Sequence, residues 1–489
     1  MQRKIFYILF LTLLALGCSE EFLDNPPKGQ LTTGSFPETR EDAILATNGV
    51  YNTLRIWNLH AGGFPILDIM SDEAKKGSNP GDGVVLNDFE EFAFTPGNSS
   101  FQRWWSTLYQ GIKRAHLVIE KVPEIDMDDD LKTRLIAEAR FLRGFFYFTL
   151  VRAYGDVPMV TSSEPPSNLA RTDKEKIYNE IIIPDMEVAI DNLPLRSEYS
   201  SGELGRATKG AARGILAKAY LWQKDYVNAE IYAIDVIKSQ EYSLDPSFSN
   251  VFDAAFGSGA IFEVGALPRA GIGNGGNQYA NTWGVRGEPN LGWGFGRPSW
   301  SFIQEMQGDP RLDASVAFVG ETIGGIKVNG DDNTPDTTYN DQGAIEQVEC
   351  YNQKTFVSDS VPETSWGYNR KFLRYADILL VAAEALNENN KPGDARTYLN
   401  MVRERARENS TQLPDITTND KAELRNLIIE ERHRELALEG HRFFDLVRTG
   451  KAPEVLGPLG FVEGKHELMP IPQSEINISE GKMIQNPKY

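Results

Sequence analysis

The hydrophobic pattern is most continuous in one stretch in the first third of the chain. From Phe141 to Val151 apolar side chains occupy almost every helical face, and a helix that is apolar all round must be buried against several neighbours. Gly144 predicts a close helix–helix approach, since glycine within a helix costs about 1 kcal/mol relative to alanine. Gly155 and Pro158 predict the end of this helix. The stretch therefore indicates the central core helix of an α-rich protein.

Helical periods also occur on both sides of this stretch. The segments 208–222 and 227–239 form a pair in the phase of a tetratricopeptide repeat, in which small residues let paired helices approach. The same phase recurs within 375–406. A set of unrelated amphipathic helix pairs would give much the same architecture, so both interpretations stay open. Further helical segments are 41–54, 101–122, 172–193 (interrupted at Pro184) and 421–449.

The pattern changes between residues 242 and 367, which are rich in glycine, asparagine, aspartate and aromatic residues. Short strands are expected at 260–264 and 315–319. A loop region this long in a compact protein is usually functional. We therefore expect one domain, residues 18–489, with a helical scaffold at 37–240 and 368–450, a loop-rich ligand-side insertion at 242–367 and an extended tail at 451–489.

The first 17 residues have the order of an export signal. Arg3 and Lys4 precede the apolar run 5–16, which ends at Gly17 and Cys18. The run is too short to span a bilayer, which takes about 20 residues. Residues 15–18, Ala-Leu-Gly-Cys, resemble a bacterial lipobox, which predicts cleavage after residue 17 and lipidation of Cys18. An ordinary signal peptide is the alternative. The only other cysteine is Cys350, so we expect no disulfide framework.

Charge and motifs exclude several classes of function. The net charge of −19 argues against nucleic acid as a partner, since its phosphates need a basic surface. No HExxH zinc motif occurs, and the GxGxxG at 271–276 is not followed by a helical pattern. A pair of glycosidase carboxylates stays possible but none is singled out. Because no signature points to a cofactor or metal, we expect neither.

One acidic segment offers the oxygen ligands that calcium takes. Its spacing does not fit an EF-hand loop, since Gln342 stands where the bidentate glutamate belongs. A solvated polar loop is the favoured interpretation, and calcium is the alternative. The candidate ligands are Asp331, Asp332, Asn333 and Asp336.

Aromatic residues among glycines and polar residues are the better lead to a binding site. A flat exposed ring offers a sugar a stacking face, and neighbouring Asn, Asp and Arg offer partners for its hydroxyl groups. We expect Trp57, Tyr279 and Trp283 to be exposed, whereas we expect Trp293 and Trp300, near the helical-looking segment 301–306, to be packing residues. The candidate ligand-binding residues are Trp57, His60, Phe64, Tyr279, Trp283, Arg286, Trp293 and Trp366.

Six stretches, taken together in their order along the chain, resemble the SusD/RagB family of outer-membrane lipoproteins of the Bacteroidetes. The longest is AEARFLRGFFYFTLVRAYGDVP at 137–158. The others are CSEEFLD at 18–24, TKGAARGILAKAYL at 208–221, FLRYADILLVAAEA at 372–385, ERHRELALEGHRFFDLVR at 431–448 and the ending 468–489. The resemblance covers almost the whole length and implies a mainly α SusD-like fold in which tetratricopeptide-like helix pairs form a right-handed scaffold.

The resemblance also implies a function. Members of this family are non-enzymatic nutrient-binding lipoproteins, anchored by lipid in the outer membrane and facing the cell exterior. They capture a nutrient, usually a glycan, and pass it to a SusC-like TonB-dependent transporter. A non-glycan nutrient such as a peptide, a surface glycoside hydrolase and a structural helical adaptor are the alternatives.

The family's ligand residues lie in variable loops, so none transfers to this chain. Glu439, Arg442, Asp445 and Arg448 match the family pattern EGxRxxDLxR. Their spacing suits ion pairs along one helix face, so we expect a structural role for them.

Overall fold

The computed structural model describes residues 36–253, 255–266, 278–331, 337–356, 367–408 and 410–489. The predicted signal peptide and the lipidation site Cys18 lie outside these residues. Ten helices of eight residues or more form the described scaffold, which confirms the mainly α prediction. They are α1 Arg40–Thr53, α2 Ser99–Lys121, α3 Asp129–Tyr154, α4 Ile183–Asn192, α5 Lys209–Trp222, α6 Tyr226–Lys238, α7 Tyr375–Glu388, α8 Pro392–Arg407, α9 Lys421–Leu436 and α10 Arg442–Thr449.

The predicted core helix is α3, and its two ends have clear local causes. Asp128 caps the beginning, because its carboxylate accepts a hydrogen bond from the Leu131 amide at 2.9 Å. At the other end Gly155 has φ = 72°, a backbone conformation that favours glycine and stops the helix. The predicted end of the helix is thus confirmed.

The predicted close approach at Gly144 is also confirmed. A Cβ atom added there would lie 2.9 Å from Cε of Met186 and 3.4 Å from Cβ of Asp185, both on α4. The neighbouring Arg143 donates from Nε to Asp185 at 2.7 Å. The glycine lets the two helices meet, and the ion pair fixes their register. Before α4 the chain forms a π-helix, Tyr178–Ile182, so the predicted interruption near Pro184 is present.

The helices that follow α4 pack in pairs. α5 packs on α6 and α7 on α8, each pair joined by three residues, and α6 packs on α7. Small residues at the contacts, among them Ala217, Ala229, Ala383 and Ala395, are fully buried. These are the residues that the repeat phase places at the helix contacts. The handedness of the array stays a prediction.

Short antiparallel two-stranded ribbons are spread through the described part of the insertion and its borders. The strands are β1 Ala74–Gly77, β2 Ala260–Val264, β3 Phe295–Pro298, β4 Val316–Phe318, β5 Thr322–Ile323, β6 Ile326–Lys327, β7 Thr337–Tyr339, β8 Ile345–Val348, β9 Cys350–Asn352 and β10 Arg370–Arg374. They pair as β1–β3, β2–β10, β4–β9, β5–β6 and β7–β8. Both predicted strands occur, as β2 and β4. Because β10 leads directly into α7, its pairing with β2 joins the insertion to the scaffold.

A buried ionic network makes a second connection. Arg311 of the insertion is fully buried and donates to Glu431 at 2.6 Å and Glu435 at 3.1 Å on α9. Burial alone would raise the pKa of Glu435, but Arg405, Arg374 and Arg311 hold it well below its usual range. The insertion is therefore anchored through charges that satisfy one another away from water.

The EGxRxxDLxR residues are structural, but not as helix-face pairs throughout. Arg448 does bind Asp445 on α10 at 2.7 Å. The expected pairing of Glu439 with Arg442 is wrong, because Glu439 precedes α10 and accepts from Arg374 at 2.8 Å. Arg442 donates instead to Asp72, at 2.7 Å from Nη2. These residues connect remote segments.

The tail 451–489 contains the short helices Ala452–Leu456 and Gln473–Ile478, so it is not extended throughout. It completes the last turn of α3. The Met469 amide donates to the carbonyl of Ala153 at 2.7 Å, and Nδ2 of Asn486 donates to that of Tyr154 at 3.0 Å. Helix ends leave such carbonyls without partners, and the end of the chain supplies them here.

Candidate functional site

Candidate aromatic residues from two parts of the chain, more than 200 residues apart, meet in one place. The ring of Trp57 packs edge-on against Phe64 at 5.1 Å and against Trp293 at 5.7 Å between ring centres. Phe64 in turn contacts Phe295 of β3 at 5.1 Å. Trp57, Phe64 and Trp293 are each half-buried. The fold thus brings these three candidate residues together, and the expectation that Trp57 is exposed is met only in part.

The expectation that Tyr279 and Trp283 are exposed is wrong. Trp283 is 0% exposed and Tyr279 is 8% exposed. His60 is also buried, with its ring 4.7 Å from that of Tyr279. The physical reason is the close packing of strand β3 on the indole: Gly296 has φ = 64°, and a Cβ there would lie 2.5 Å from the Trp283 ring. The glycines that suggest an open loop let the backbone close over the indole.

Trp366 lies outside the described residues, so its role stays a prediction. Arg286 is half-buried, and its guanidinium joins two loops. It donates to Asp82 at 2.6 Å and to Asp331 at 2.6 Å. The side chain therefore orders this surface; a direct contact with ligand stays a prediction.

The candidate calcium ligands are only partly described. Asp331 forms the ion pair with Arg286, and its amide donates to Glu349 at 2.8 Å. Asp332, Asn333 and Asp336 lie outside the described residues. Calcium binding stays an untested alternative.

A loop that the sequence analysis did not single out borders the same surface. Lys76 is 6% exposed, and its ammonium donates to three backbone carbonyls, those of Asn79, Pro80 and Asp82, at 3.2, 3.3 and 2.8 Å. The loop 77–83 therefore closes around a buried cation. The amide of Ser78 donates to the carbonyl of Gly294 at 2.6 Å, which attaches the loop to the segment that carries Trp293.

A groove of about 380 Å³ lies between this loop and the β7–β8 hairpin. Ligand pockets in proteins commonly have volumes of about 300–1,000 Å³. Most of its lining residues carry charged, amide or hydroxyl side chains, and Lys75 and Glu90 form an ion pair of 3.0 Å at one side. The lining residues are Lys75, Lys76, Gly77, Ser78, Pro80, Asn87, Glu90, Arg297, Thr338, Glu346 and Gln347.

The hairpin that bounds the groove also carries an exposed aromatic residue. Tyr339 is 62% exposed and directly follows the groove residue Thr338. Sequence reasoning missed it, although its place in a Thr-Thr-Tyr strand beside the acidic loop was a usable signal. We call one surface of the protein the loop face. It consists of the loop 77–83, the groove, Trp57 and Trp293.

A possible metal cluster lies elsewhere. Ligand atoms of Asp72, Glu305 and His433 lie within 4.8 Å of one another. However, Arg442 donates to both carboxylate oxygens of Asp72, at 2.8 and 2.7 Å, and Nδ1 of His433 lies 3.2 Å from Glu305. These acids already have cationic or imidazole partners, so the cluster is explained as an ion-pair network.

Among the described residues, no helix is both long enough and apolar enough to cross a bilayer.

Comparison with known proteins agrees with the fold. Residues 259–460 match the family model described as "SusD family", and residues 70–221 match a second model, "Starch-binding associating with outer membrane". A SusD-like protein of Formosa agariphila is 29% identical over 99% of both chains. The starch-binding protein SusD of Bacteroides thetaiotaomicron is 28% identical over 74% of each chain.

Solved structures show the same architecture. A laminarin-binding SusD-like protein has a TM-score of 0.76 at 28% identity, over 92% of this chain and 100% of that one. Surface glycan-binding protein A of Bacteroides thetaiotaomicron, solved with laminarihexaose, has a TM-score of 0.75 at 24% identity, over 92% of this chain and 99% of that one. With matching models on both halves of the scaffold and relatives that align along its full length, the chain belongs to the SusD family.

Proposed function

We propose that this protein binds an oligosaccharide on the loop face, at the surface of the outer membrane. The observation that carries the proposal is the groove: polar side chains with an exposed tyrosine on its hairpin and half-buried indoles nearby suit the hydroxyl groups and flat faces of sugar rings. Relatives named for binding starch and laminarin support the same ligand class. The bound glycan is then delivered to a SusC-like TonB-dependent transporter.

The attachment to the membrane is part of this proposal. Cys18 carries the lipid and the mature chain faces the exterior. Metabolic labelling with a radioactive fatty acid tests this: the wild-type chain becomes labelled, and the Cys18→Ala variant does not. Labelling of both proteins would contradict Cys18 as the acceptor.

Binding is tested directly by calorimetric titration of the purified protein with laminarin, starch and a peptide mixture. We expect saturable binding of one glycan. Tyr339→Ala lowers its affinity about tenfold, in the range of a buried aromatic anchor at a binding interface. Val227→Ala is the matched control, because Val227 is 61% exposed on α6, in the scaffold. Equal affinities of the two variants would contradict the groove as the site.

Hydrolysis is the second candidate function. Glu90 and Glu346 both line the groove, so two carboxylates are available to a bound glycan. Glu90, however, is paired with Lys75 and accepts from the Lys76 amide at 2.8 Å. We therefore propose binding without cleavage. Release of reducing sugar by the wild-type protein, and its loss in Glu346→Gln, would establish the hydrolase instead.

A further inference from the structure

A cavity of about 90 Å³ lies beside the central helix, away from the groove. Its walls come from α2, α3, α5, strand β10 and the loop before α10. A water molecule needs about 10–15 Å³ of such volume, so there is room for several waters or one small ion. Phe145, Phe148 and Ile215 make part of the wall apolar, whereas Arg152 and Arg370 line it with positive charge.

Arg370 has no anionic partner among the described residues. Its guanidinium lies 4.5 Å from the ring centres of Tyr279 and Phe372, and its buried Nη1 makes no hydrogen bond. Aromatic contacts of this kind leave the five N–H groups of a guanidinium unused. Arg370 is half-buried, and a partly buried cation without an anionic partner calls for an explanation.

Arg152, which is also half-buried, is the second cation of the cavity. Its Nε donates only to the carbonyl of Phe148, at 3.3 Å, and its guanidinium lies 4.8 Å from the ring centre of Phe444. Within the described ranges it forms no ion pair. Burial lowers the pKa of Arg152 to about 10 and that of Arg370 to about 9, so both stay charged at neutral pH.

The other charged residues of the cavity already have partners. Lys218 is paired with Asp377, and Lys371 lies 3.8 Å from Glu263. Glu439, the acid in the wall, accepts from Arg374 and Lys354 at 2.8 Å each. The cavity therefore keeps two positive charges that its own walls do not balance.

We propose that this cavity binds one small monovalent anion at Arg370, a halide or a carboxylate of the size of acetate, with Arg152 supplying the second positive charge. Water can satisfy N–H groups but does not neutralise charge. The cavity volume favours an ion of this size over a sugar acid. The anion would connect β10, where the insertion returns to the scaffold, with the core helix α3, and it is independent of glycan binding on the loop face.

Thermal unfolding in sodium chloride and in sodium gluconate at equal ionic strength tests the proposal. Chloride fits the cavity and the six-carbon gluconate does not, so the wild-type Tm is expected to be about 2–4 °C higher in chloride. Arg370→Met removes this difference. Arg40→Met, which alters an exposed pair with Glu41, retains it. A wild-type Tm equal in both salts, or a chloride effect that survives Arg370→Met, would overturn the proposal.

A crystal of the wild-type protein grown in sodium bromide provides a measurement that does not depend on the variant folding. An anomalous peak within hydrogen-bond distance of the Arg370 guanidinium is expected. A cavity without such a peak overturns the proposal, even if bromide is found on the protein surface.

Discussion

The ammonium of Lys76 donates a hydrogen bond to the backbone carbonyl of Asp82 at 2.8 Å. Arg286 holds the side chain of the same aspartate at 2.6 Å from the other side. One loop residue is thus bound by a cation from β1 through its backbone and by a cation from the insertion through its carboxylate. The loop face depends on this arrangement, because the loop has little regular structure of its own.

Replacing Lys76 with methionine should loosen the loop 77–83 without unfolding the protein. The three carbonyls lose their shared donor, but they lie close enough to the surface for water to replace it. We expect faster amide hydrogen exchange in 77–83 and an affinity for glycan that falls by about tenfold, or 1.4 kcal/mol. Lys75→Met is the control for exchange, since Lys75 pairs with Glu90 and not with the loop carbonyls. Equal exchange in both variants would contradict the role of Lys76.

Replacing Trp283 with alanine should destabilise the fold. The indole is fully buried beneath Gly296, and removing it leaves a large cavity. A loss of about 3–5 kcal/mol in the free energy of unfolding is expected, measured by denaturant titration. Trp57→Ala is the comparison, because the half-buried Trp57 should cost clearly less. If the two variants were equally stable, the burial of Trp283 would be wrong.

Two helix glycines should respond to alanine in opposite directions. At Gly111 in α2 a Cβ would lie 2.4 Å from the buried Phe146 ring, so Gly111→Ala should lose about 1–3 kcal/mol through overpacking. At Gly49 in α1 no atom lies within 4 Å, so Gly49→Ala should gain up to about 1 kcal/mol from helix propensity. Thermal unfolding of the two variants measures this. A stabilised Gly111→Ala would contradict the close α2–α3 contact.

The buried carboxyl group of Asp68 should make the free energy of unfolding depend on pH. Burial raises the pKa of its carboxyl to about 7, although the Gly440 amide donates to it at 2.7 Å. Between about pH 4 and 7 the folded carboxyl keeps its proton while the unfolded one loses it, so this group destabilises the fold progressively as the pH rises. Asp68→Asn lacks this term.

The free-energy difference between Asp68→Asn and the wild type should therefore shift in favour of the variant from pH 4 to pH 7. The shift is about 4 kcal/mol at most, from 1.36 kcal/mol for each pKa unit. Urea titrations at several pH values measure it. A difference that does not change with pH would show that the Asp68 carboxyl titrates normally.

Local patterns predicted the elements of this fold well. The apolar run around Gly144, the stop at Gly155 and the strands at 260–264 and 315–319 all occur. Each depends on residues close together in the chain: side-chain periodicity, a cap or a breaker. The family motifs could be recognised for the same reason, because each is a contiguous stretch of the chain and most of them lie on these helices.

Local patterns did not predict which aromatic side chains are exposed or which charged residues form ion pairs. Trp283 and Tyr339 stand in similar polar surroundings in the sequence, yet one is 0% and the other 62% exposed. Glu439 and Arg442 have the spacing of a helix pair, but their partners Arg374 and Asp72 lie in distant segments. The residue types in a segment do not show which distant part of the backbone will cover an aromatic ring. They also do not show which distant charged residue will lie close enough to form an ion pair.

The sequence by itself thus determined the helical scaffold and its central helix, because short-range periodicity and capping encode them. It also determined the family, through the motifs that these helices carry. Only the tertiary structure decided which aromatic residues face solvent, how Lys76 and Arg286 shape the loop face, and that Arg152 and Arg370 share a cavity. These features arise where segments far apart in the chain pack together, and their energies depend on burial and distance, which no local pattern records.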